Sequence, residues 1–186
     1  RVTAFGWMGK RIFMSQGGVA GDDFHQLHES TDERDWHFKC KCGELQPWVW
    51  EQIRFPEAAK ASGTWDLQAV AAGTTYECRS CLERLPDNNG TRYEANAGGC
   101  FIATKPASIT GAVGLHWNAL ATMSWGELGV LMLKAAEEAN VYGFDEQRRI
   151  FKQKRLALPW QEEAGAIVNV DQAAPYKLAD DWEHEA

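Results

Sequence analysis

The stretch "FKCKCGELQPWVW" (residues 38–50) decides how this chain is interpreted, because it sets two cysteines one residue apart at the end of a strand-like run. A second close pair ends the strand-like run "TYECRSC" (residues 75–81). A structural zinc ion takes four ligands at the corners of a tetrahedron, and cysteine thiolates serve it well. Two close pairs, each at the end of a strand, are typical of a zinc ribbon. The sequence therefore predicts a zinc site formed by Cys40, Cys42, Cys78 and Cys81.

The first cysteine pair leaves other interpretations open. The common zinc knuckle has two residues between its cysteines, whereas one residue separates Cys40 from Cys42. His37 lies three residues before Cys40 and is a rival ligand. The plainest alternative is a set of small buried thiols. Cys100, which stands alone in "GGCFIA", is expected to be a small core residue.

The cysteine count argues against a disulfide framework. Five cysteines would leave one thiol unpaired in a secreted chain. No signal-peptide pattern opens the sequence, so a reducing cytosol is the expected compartment. Clustered cysteines in that compartment bind metal more often than they form disulfides.

The charge of the chain is unevenly distributed. The formal net charge of −7 argues against a whole-surface grip on nucleic acid, which needs positive potential. Residues 144–160, however, hold five basic side chains against two acidic ones, whereas residues 161–186 are strongly acidic. A DNA contact is therefore expected on a helix over about residues 145–156, with an ordinary solvated helix face as the alternative. The basic residues are Arg148, Arg149, Lys152, Lys154 and Arg155.

Local patterns predict a mixture of short strands and helices. Strands are expected over residues 1–15 and at the two cysteine runs, and Asn89-Gly90 predicts a hairpin turn. Ser124 and Glu127 fit a capping box, which opens a helix that Gly143 ends. The basic helix follows it. No apolar run reaches the roughly 18 residues of a membrane span, so no membrane contact is expected.

The stretch "AFGWMGKR" (residues 4–11) resembles a phosphate-binding P-loop only faintly. The Walker A pattern requires glycine where Ala4 stands, and serine or threonine where Arg11 stands. No nucleotide-binding P-loop is therefore expected within this sequence.

Four motifs follow one another in a specific order: "CKCGELQPW", "YECRSC", "VGLHWNALATMSW" and "RLALPW". Their order and spacing resemble the large terminase subunit of tailed phages, of the phage-lambda type, over roughly residues 10–165. The resemblance implies a motor that hydrolyses ATP to pump double-stranded DNA into a procapsid, and an endonuclease that cuts concatemers. It also places Ser15, in "MSQGG", at the turn that couples hydrolysis to movement in that family.

The resemblance further implies that the chain is an internal segment of the packaging protein. The family's Walker motifs would lie before Arg1 and its nuclease carboxylates after Ala186, so this segment alone would lack both. ATP and Mg²⁺ would serve the full protein, in a homo-oligomeric motor in the host cytoplasm. Its partners would be double-stranded DNA, the small terminase subunit and the portal protein of the procapsid.

The expected fold class is α+β: the end of a P-loop ATPase-type α/β domain with a zinc-ribbon-like β insert and two C-terminal helices. The expected parts are the end of the ATPase core (1–35), the insert (36–104), a strand plus two helices that return to the ATPase domain (105–160), and an acidic linker toward the nuclease domain (161–186). Two other interpretations remain. One is a stand-alone zinc-ribbon module that binds nucleic acid or protein without catalysis. The other is an interaction domain that docks through its Trp-rich surface.

Overall fold

The computed structural model describes residues 9–61 and 63–161, and in that part of the chain helices and short strands alternate. The helices are α1 (Asp23–Glu29), α2 (Leu67–Gly73), α3 (Asn89–Ala97), α4 (Trp125–Tyr142) and α5 (Glu146–Lys154). The strands are β1 (Arg34–Lys39), β2 (Leu45–Pro47), β3 (Ile53–Arg54), β4 (Lys60–Ala61), β5 (Thr64–Trp65), β6 (Thr75–Glu77), β7 (Arg84–Pro86), β8 (Cys100–Ala103) and β9 (Leu115–His116). This mixture agrees with the predicted α+β class. None of the helices described is long and apolar enough to cross a membrane.

Strand β1 organises the larger sheet. It pairs antiparallel with β2 and β8 and parallel with β9. A second sheet has the order β3-β6-β7 with antiparallel neighbours, and β4 and β5 form a separate two-stranded hairpin. The strands β1 and β6, which end just before the two cysteine pairs, therefore belong to different sheets.

Buried aromatic rings join the two sheets to α4. Phe38 of β1 stacks on Trp48 with ring centroids 3.6 Å apart, and Tyr76 of β6 meets the edge of both rings. Trp125, at the start of α4, is fully buried, and its ring centroid lies 5.5 Å from that of Trp48. Burial of such large apolar surfaces is the main stabilising contribution to a domain of this size.

The two predicted C-terminal helices are confirmed, and so is the cap that opens the first of them. The Ser124 side chain accepts a hydrogen bond from the Glu127 backbone N–H at 3.2 Å. Gly143 ends α4 with a φ of 73°, the left-handed conformation that glycine adopts without a steric penalty. Helix α5 begins three residues later and packs against α4.

The predicted strand over residues 1–15 is wrong for the residues described. Residues 9–18 have no regular secondary structure, and the side chains of Ile12, Phe13 and Met14 are strongly exposed. Their apolar run resembles a buried strand in composition, but it pairs with no strand among the residues described. Residues 1–8 and the greater part of the predicted acidic linker lie outside the described residues.

The hairpin predicted at Asn89-Gly90 is also wrong, because both residues lie in the first turn of α3. Asn88 supplies the cap instead, since its side-chain oxygen accepts the Thr91 N–H at 2.8 Å. Asn96, near the end of α3, accepts hydrogen bonds from the indole N–H groups of Trp36 and Trp48. These tertiary contacts favour a helix at a dipeptide whose local preference is for a turn.

Cys100 is not the core residue that the sequence suggests. It is exposed at the start of β8, opposite His37 of β1. An apolar neighbourhood in sequence does not decide which face of a strand a residue occupies, because successive side chains point to opposite faces. The four-part division of the chain stays a prediction.

Candidate metal centre

Four cysteine side chains converge where the two sheets meet. The Sγ atoms of Cys40, Cys42, Cys78 and Cys81 all lie within 4.8 Å of one another. Cys40 Sγ lies 3.9 Å from Cys81 Sγ, and Cys42 Sγ lies 3.9 Å from Cys78 Sγ. Thiolates bound tetrahedrally at about 2.3 Å from zinc are about 3.8 Å apart. The donor set and its spacing therefore fit a tetrahedral metal ion, and His37 is not part of the cluster.

Two tight turns bring the cysteines of each pair together. In the first turn, the Cys40 N–H donates to the Glu44 carbonyl at 2.9 Å, and the Gly43 N–H donates to the Cys40 carbonyl at 2.8 Å. Gly43 has a φ of 94°, which glycine adopts readily. This conformation reverses the direction of the chain within a short distance. The turn therefore closes although the first pair has one residue fewer between its cysteines than the second pair.

The second turn follows the same plan with one more residue. The Cys78 N–H donates to the Glu83 carbonyl at 2.9 Å, and the Leu82 N–H donates to the Cys78 carbonyl at 3.0 Å. Leu82 occupies the position in this turn that Gly43 occupies in the first turn, and it has the same left-handed backbone conformation, with a φ of 61°. A leucine in that conformation is strained, since its Cβ crowds the backbone, and such strain concentrates at functional sites.

Gln46 orients the sulfur of Cys78 from within the core. Its side chain is fully buried, and its amide nitrogen donates to Cys78 Sγ at 3.0 Å. Its amide oxygen accepts the Arg79 backbone N–H at 3.1 Å, which fixes the amide in this orientation. Metal sites are commonly supported by such a second layer of hydrogen bonds.

The thiols differ in how readily they lose a proton. Burial disfavours the Cys78 thiolate, but N–H donors from the Cys81 backbone, the Gln46 side chain and the Ser80 backbone outweigh it and lower its pKa to about 6. Burial raises the pKa of the Cys40 thiol to about 12. Cys78 therefore offers a thiolate at neutral pH, which is the form that binds a metal.

The predicted basic residues lie together on and just after α5, but several already have local partners. Arg148 pairs with Asp145 at 3.1 Å, and Arg149 pairs with Glu146. The Lys152 ammonium lies 5.8 Å from the centroid of the Trp160 ring. Arg155 Nη1 lies 3.9 Å from Met123 Sδ, and Lys154 is exposed. The helix is basic, although its charges do not form one unoccupied face.

Ser15 is exposed in the irregular segment that precedes α1. That segment is attached to α5, because the Gly17 N–H donates to the Gln153 carbonyl at 3.1 Å. Two residues later, Val19 forms an isolated parallel bridge with Trp160. The stretch around Ser15 therefore runs beside the end of the basic helix.

Sequence reasoning missed one polar residue that joins several elements. His116 Nδ1 lies 2.8 Å from Asp35 Oδ1, and its Nε2 lies 3.1 Å from the Leu156 carbonyl. Asn118, two residues later, donates to the Trp48 carbonyl at 2.8 Å. The signal was present in "GLHWNAL", where polar His116 and Asn118 alternate with apolar neighbours in and just after the short strand β9.

Comparisons with known proteins identify the family. No curated protein sequence and no solved structure matched the chain. The family model described as phage terminase large subunit gpA, ATPase domain, matches residues 1–99. The match includes both cysteine pairs and ends before "GLHWNAL". Because it covers more than half of the sequence, this chain belongs to the family of the phage terminase large subunit gpA, ATPase domain.

Proposed function

We propose that this chain is the part of a phage DNA-packaging motor in which a structural zinc ion fastens two β-sheets and a neighbouring basic helix contacts DNA. The observation that carries the proposal is the set of four cysteine sulfurs within 4.8 Å of one another. Membership of the terminase family supplies the context. In that context the full protein would hydrolyse ATP with Mg²⁺ to move double-stranded DNA into a procapsid, and would cut concatemers.

Cys40, Cys42, Cys78 and Cys81 would hold the zinc, which supplies a redox-inert tetrahedral cross-link when bound. The site would form the centre of a zinc-ribbon-like insert. The cross-link would join the end of β1 to the end of β6, and these strands belong to different sheets. Short strands of two or three residues contribute little stability by themselves. Metal binding contributes directly to folding in such modules, since the unfolded chain lacks the preformed site.

Helix α5 would contact the phosphate backbone of DNA. Phosphate contacts carry no sequence information, which suits a motor that must move DNA of any sequence. The ion pairs of Arg148 and Arg149 do not oppose this role, because their partners are about half exposed. Exposed pairs contribute only about 0.2–1 kcal/mol, so both guanidinium groups could exchange a carboxylate for a phosphate.

The other parts of the motor define the remaining roles. Ser15 would belong to the turn that couples hydrolysis to movement, beside the end of α5. The small terminase subunit and the portal protein of the procapsid would be the protein partners, in a homo-oligomeric assembly in the host cytoplasm.

The zinc content of the purified chain tests the proposal. We expect about one zinc per chain by atomic emission, and a melting temperature that falls when a strong chelator is added. Cobalt exchanged into the site should give the visible spectrum of a tetrahedral thiolate complex. Less than about half an equivalent of metal, against the one ion that four ligands hold, together with an unchanged melting temperature, would rule out the structural zinc.

A further inference from the structure

His116 connects two acceptors that come from different parts of the fold. Asp35 lies opposite His116 in the parallel β1–β9 pair, and its Oδ1 is 2.8 Å from Nδ1. The Leu156 carbonyl, just beyond the end of α5, is 3.1 Å from Nε2. The imidazole is 21% exposed, so water competes little for either contact. The ring therefore bridges the larger sheet and the end of the basic helix.

Only a doubly protonated imidazole can donate to both acceptors. A neutral ring carries one N–H, so its other nitrogen would direct a lone pair at the second oxygen. Burial disfavours the charged ring, but the Asp35 carboxylate and the Leu156 carbonyl outweigh it and raise the pKa of His116. The geometry and the direction of the pKa shift both favour an imidazolium in this bridge.

Neighbouring contacts show what the bridge holds in place. The Ala119 N–H donates to the Arg155 carbonyl at 2.7 Å, three residues after His116. The Gln153 side chain donates to the Gly18 carbonyl at 2.8 Å. The end of α5 is thus fastened to the segment that contains His116 and to the segment that precedes α1. The neutral contacts persist at any ordinary pH, whereas the contact of His116 depends on a proton.

We propose that His116 is a positioning residue whose charged imidazole fixes the end of the basic helix to the sheet. The attachment of the end of α5 to the sheet therefore weakens as pH rises. This attachment of α5 to the sheet does not depend on the DNA contact proposed above. Only the effect on DNA affinity rests on that proposed function.

The charged groups around His116 set the direction of the pH dependence. Asp35 faces it from β1, and His28 of α1, which lies 3.9 Å from Glu33, acts on it at longer range. Just beyond the end of α5 the contact is the Leu156 backbone carbonyl, and the Arg155 side chain turns toward Met123. The raised pKa of His116 makes its contribution complete below the unfolded value of about 6.5. That contribution disappears as pH rises through the higher folded value.

Nuclear magnetic resonance of the 186-residue chain tests the charge state. We expect the side chain of His116 to titrate above the ordinary value of about 6.5, and to titrate lower in Asp35→Asn, which removes the carboxylate. His25→Gln, a change on α1, should leave the titration of His116 in place. A native midpoint at or below the ordinary value would overturn the proposal.

Amide hydrogen exchange tests the positioning role. Protection factors of the α5 amides, corrected for intrinsic rates, should fall between about pH 6 and about pH 9 in the native chain. His116→Gln should have low protection at both pH values, because a neutral side chain replaces the imidazolium. The same pH dependence in His116→Gln as in the native chain would contradict the role. If that variant does not fold, Asp35→Asn serves for the same comparison.

Binding to a duplex DNA separates this inference from the proposed function. The dissociation constant of the native chain should rise about tenfold over that pH range, the factor of one charge-assisted hydrogen bond, and should change less in His116→Gln. If the native chain and His116→Gln have the same pH dependence, His116 has no effect on the affinity for DNA. Absence of binding at every pH would refute the DNA role of α5, while the resonance and exchange results still decide the role of His116.

Discussion

The carboxylate of Asp87 forms an ion pair with the guanidinium of Arg92, and both side chains are only 7% exposed. The second carboxylate oxygen accepts hydrogen bonds from the Ser124 hydroxyl at 2.7 Å and from the Gly126 N–H at 2.8 Å. One buried carboxylate thus joins α3 to the first turn of α4. The pair also brings the Arg92 guanidinium over the ring of Trp125 in the core.

Replacing Asp87 with alanine should strongly destabilise the protein. The change leaves the Arg92 charge buried without its partner and removes two hydrogen bonds at the start of α4. Breaking such a buried pair costs about 3–5 kcal/mol. Asp145→Ala is the matched control, since it removes an exposed partner of Arg148 and should cost at most about 1 kcal/mol. Urea denaturation measures both, and equal decreases in stability would show that burial of the Asp87 pair has no special role.

Removing one cysteine of the cluster should release the metal. In Cys42→Ser a hydroxyl replaces a thiolate, and a hydroxyl remains protonated at neutral pH and binds zinc weakly. We expect less bound zinc and a lower melting temperature. Cys100→Ser is the control, because Cys100 is exposed and lies outside the cluster. If both variants keep a full equivalent of zinc, the four-cysteine site is wrong.

The sequence predicts well those features that depend on nearby residues. The strands before both cysteine pairs and the Ser124 cap depend on local patterns, and the structure contains each of them. The predicted hairpin at Asn89 is wrong because the helix there is supported by distant contacts. Asn96 of that helix accepts hydrogen bonds from Trp36 and Trp48, which no local pattern reveals.

The partners of His116 lie outside the reach of local patterns for the same reason. Asp35 precedes His116 by 81 residues, and Leu156 follows it by 40. The convergence of the cysteines could be predicted at a similar separation, because cysteine pairs are a specific signal for metal binding. A single histidine carries no comparable signal, since histidine has many structural roles.

Gln46→Ala should weaken metal binding without removing a ligand. The amide supports Cys78 from a fully buried position, and removing such a supporting hydrogen bond lowers metal affinity about 10–100-fold. Gln68→Ala is the control, since Gln68 is exposed on α2. Competition with a chromophoric zinc chelator measures the affinity. Equal affinities in the two variants would show that Gln46 contributes packing alone.

Removing basic charge from α5 should weaken DNA binding at every sequence. The triple variant Arg148→Ala, Arg149→Ala, Lys152→Ala removes three side chains that are candidates for binding phosphate. A plot of log affinity against log salt concentration has a negative slope. We expect the slope to become shallower by about 0.9 for each phosphate that the variant no longer neutralises. Because phosphate binding carries no sequence information, the affinity for duplexes of different sequence should fall equally.

A control of equal charge separates direct phosphate binding from net charge. Lys60→Ala, Lys105→Ala, Lys134→Ala lowers the net charge by the same amount at residues outside α5. If long-range attraction alone matters, both triple variants should weaken binding, and reduce its dependence on salt, to the same extent. If α5 touches the phosphates, only the α5 variant should have the smaller slope. That difference in slope, rather than the fall in affinity itself, would identify α5 as the surface that holds DNA.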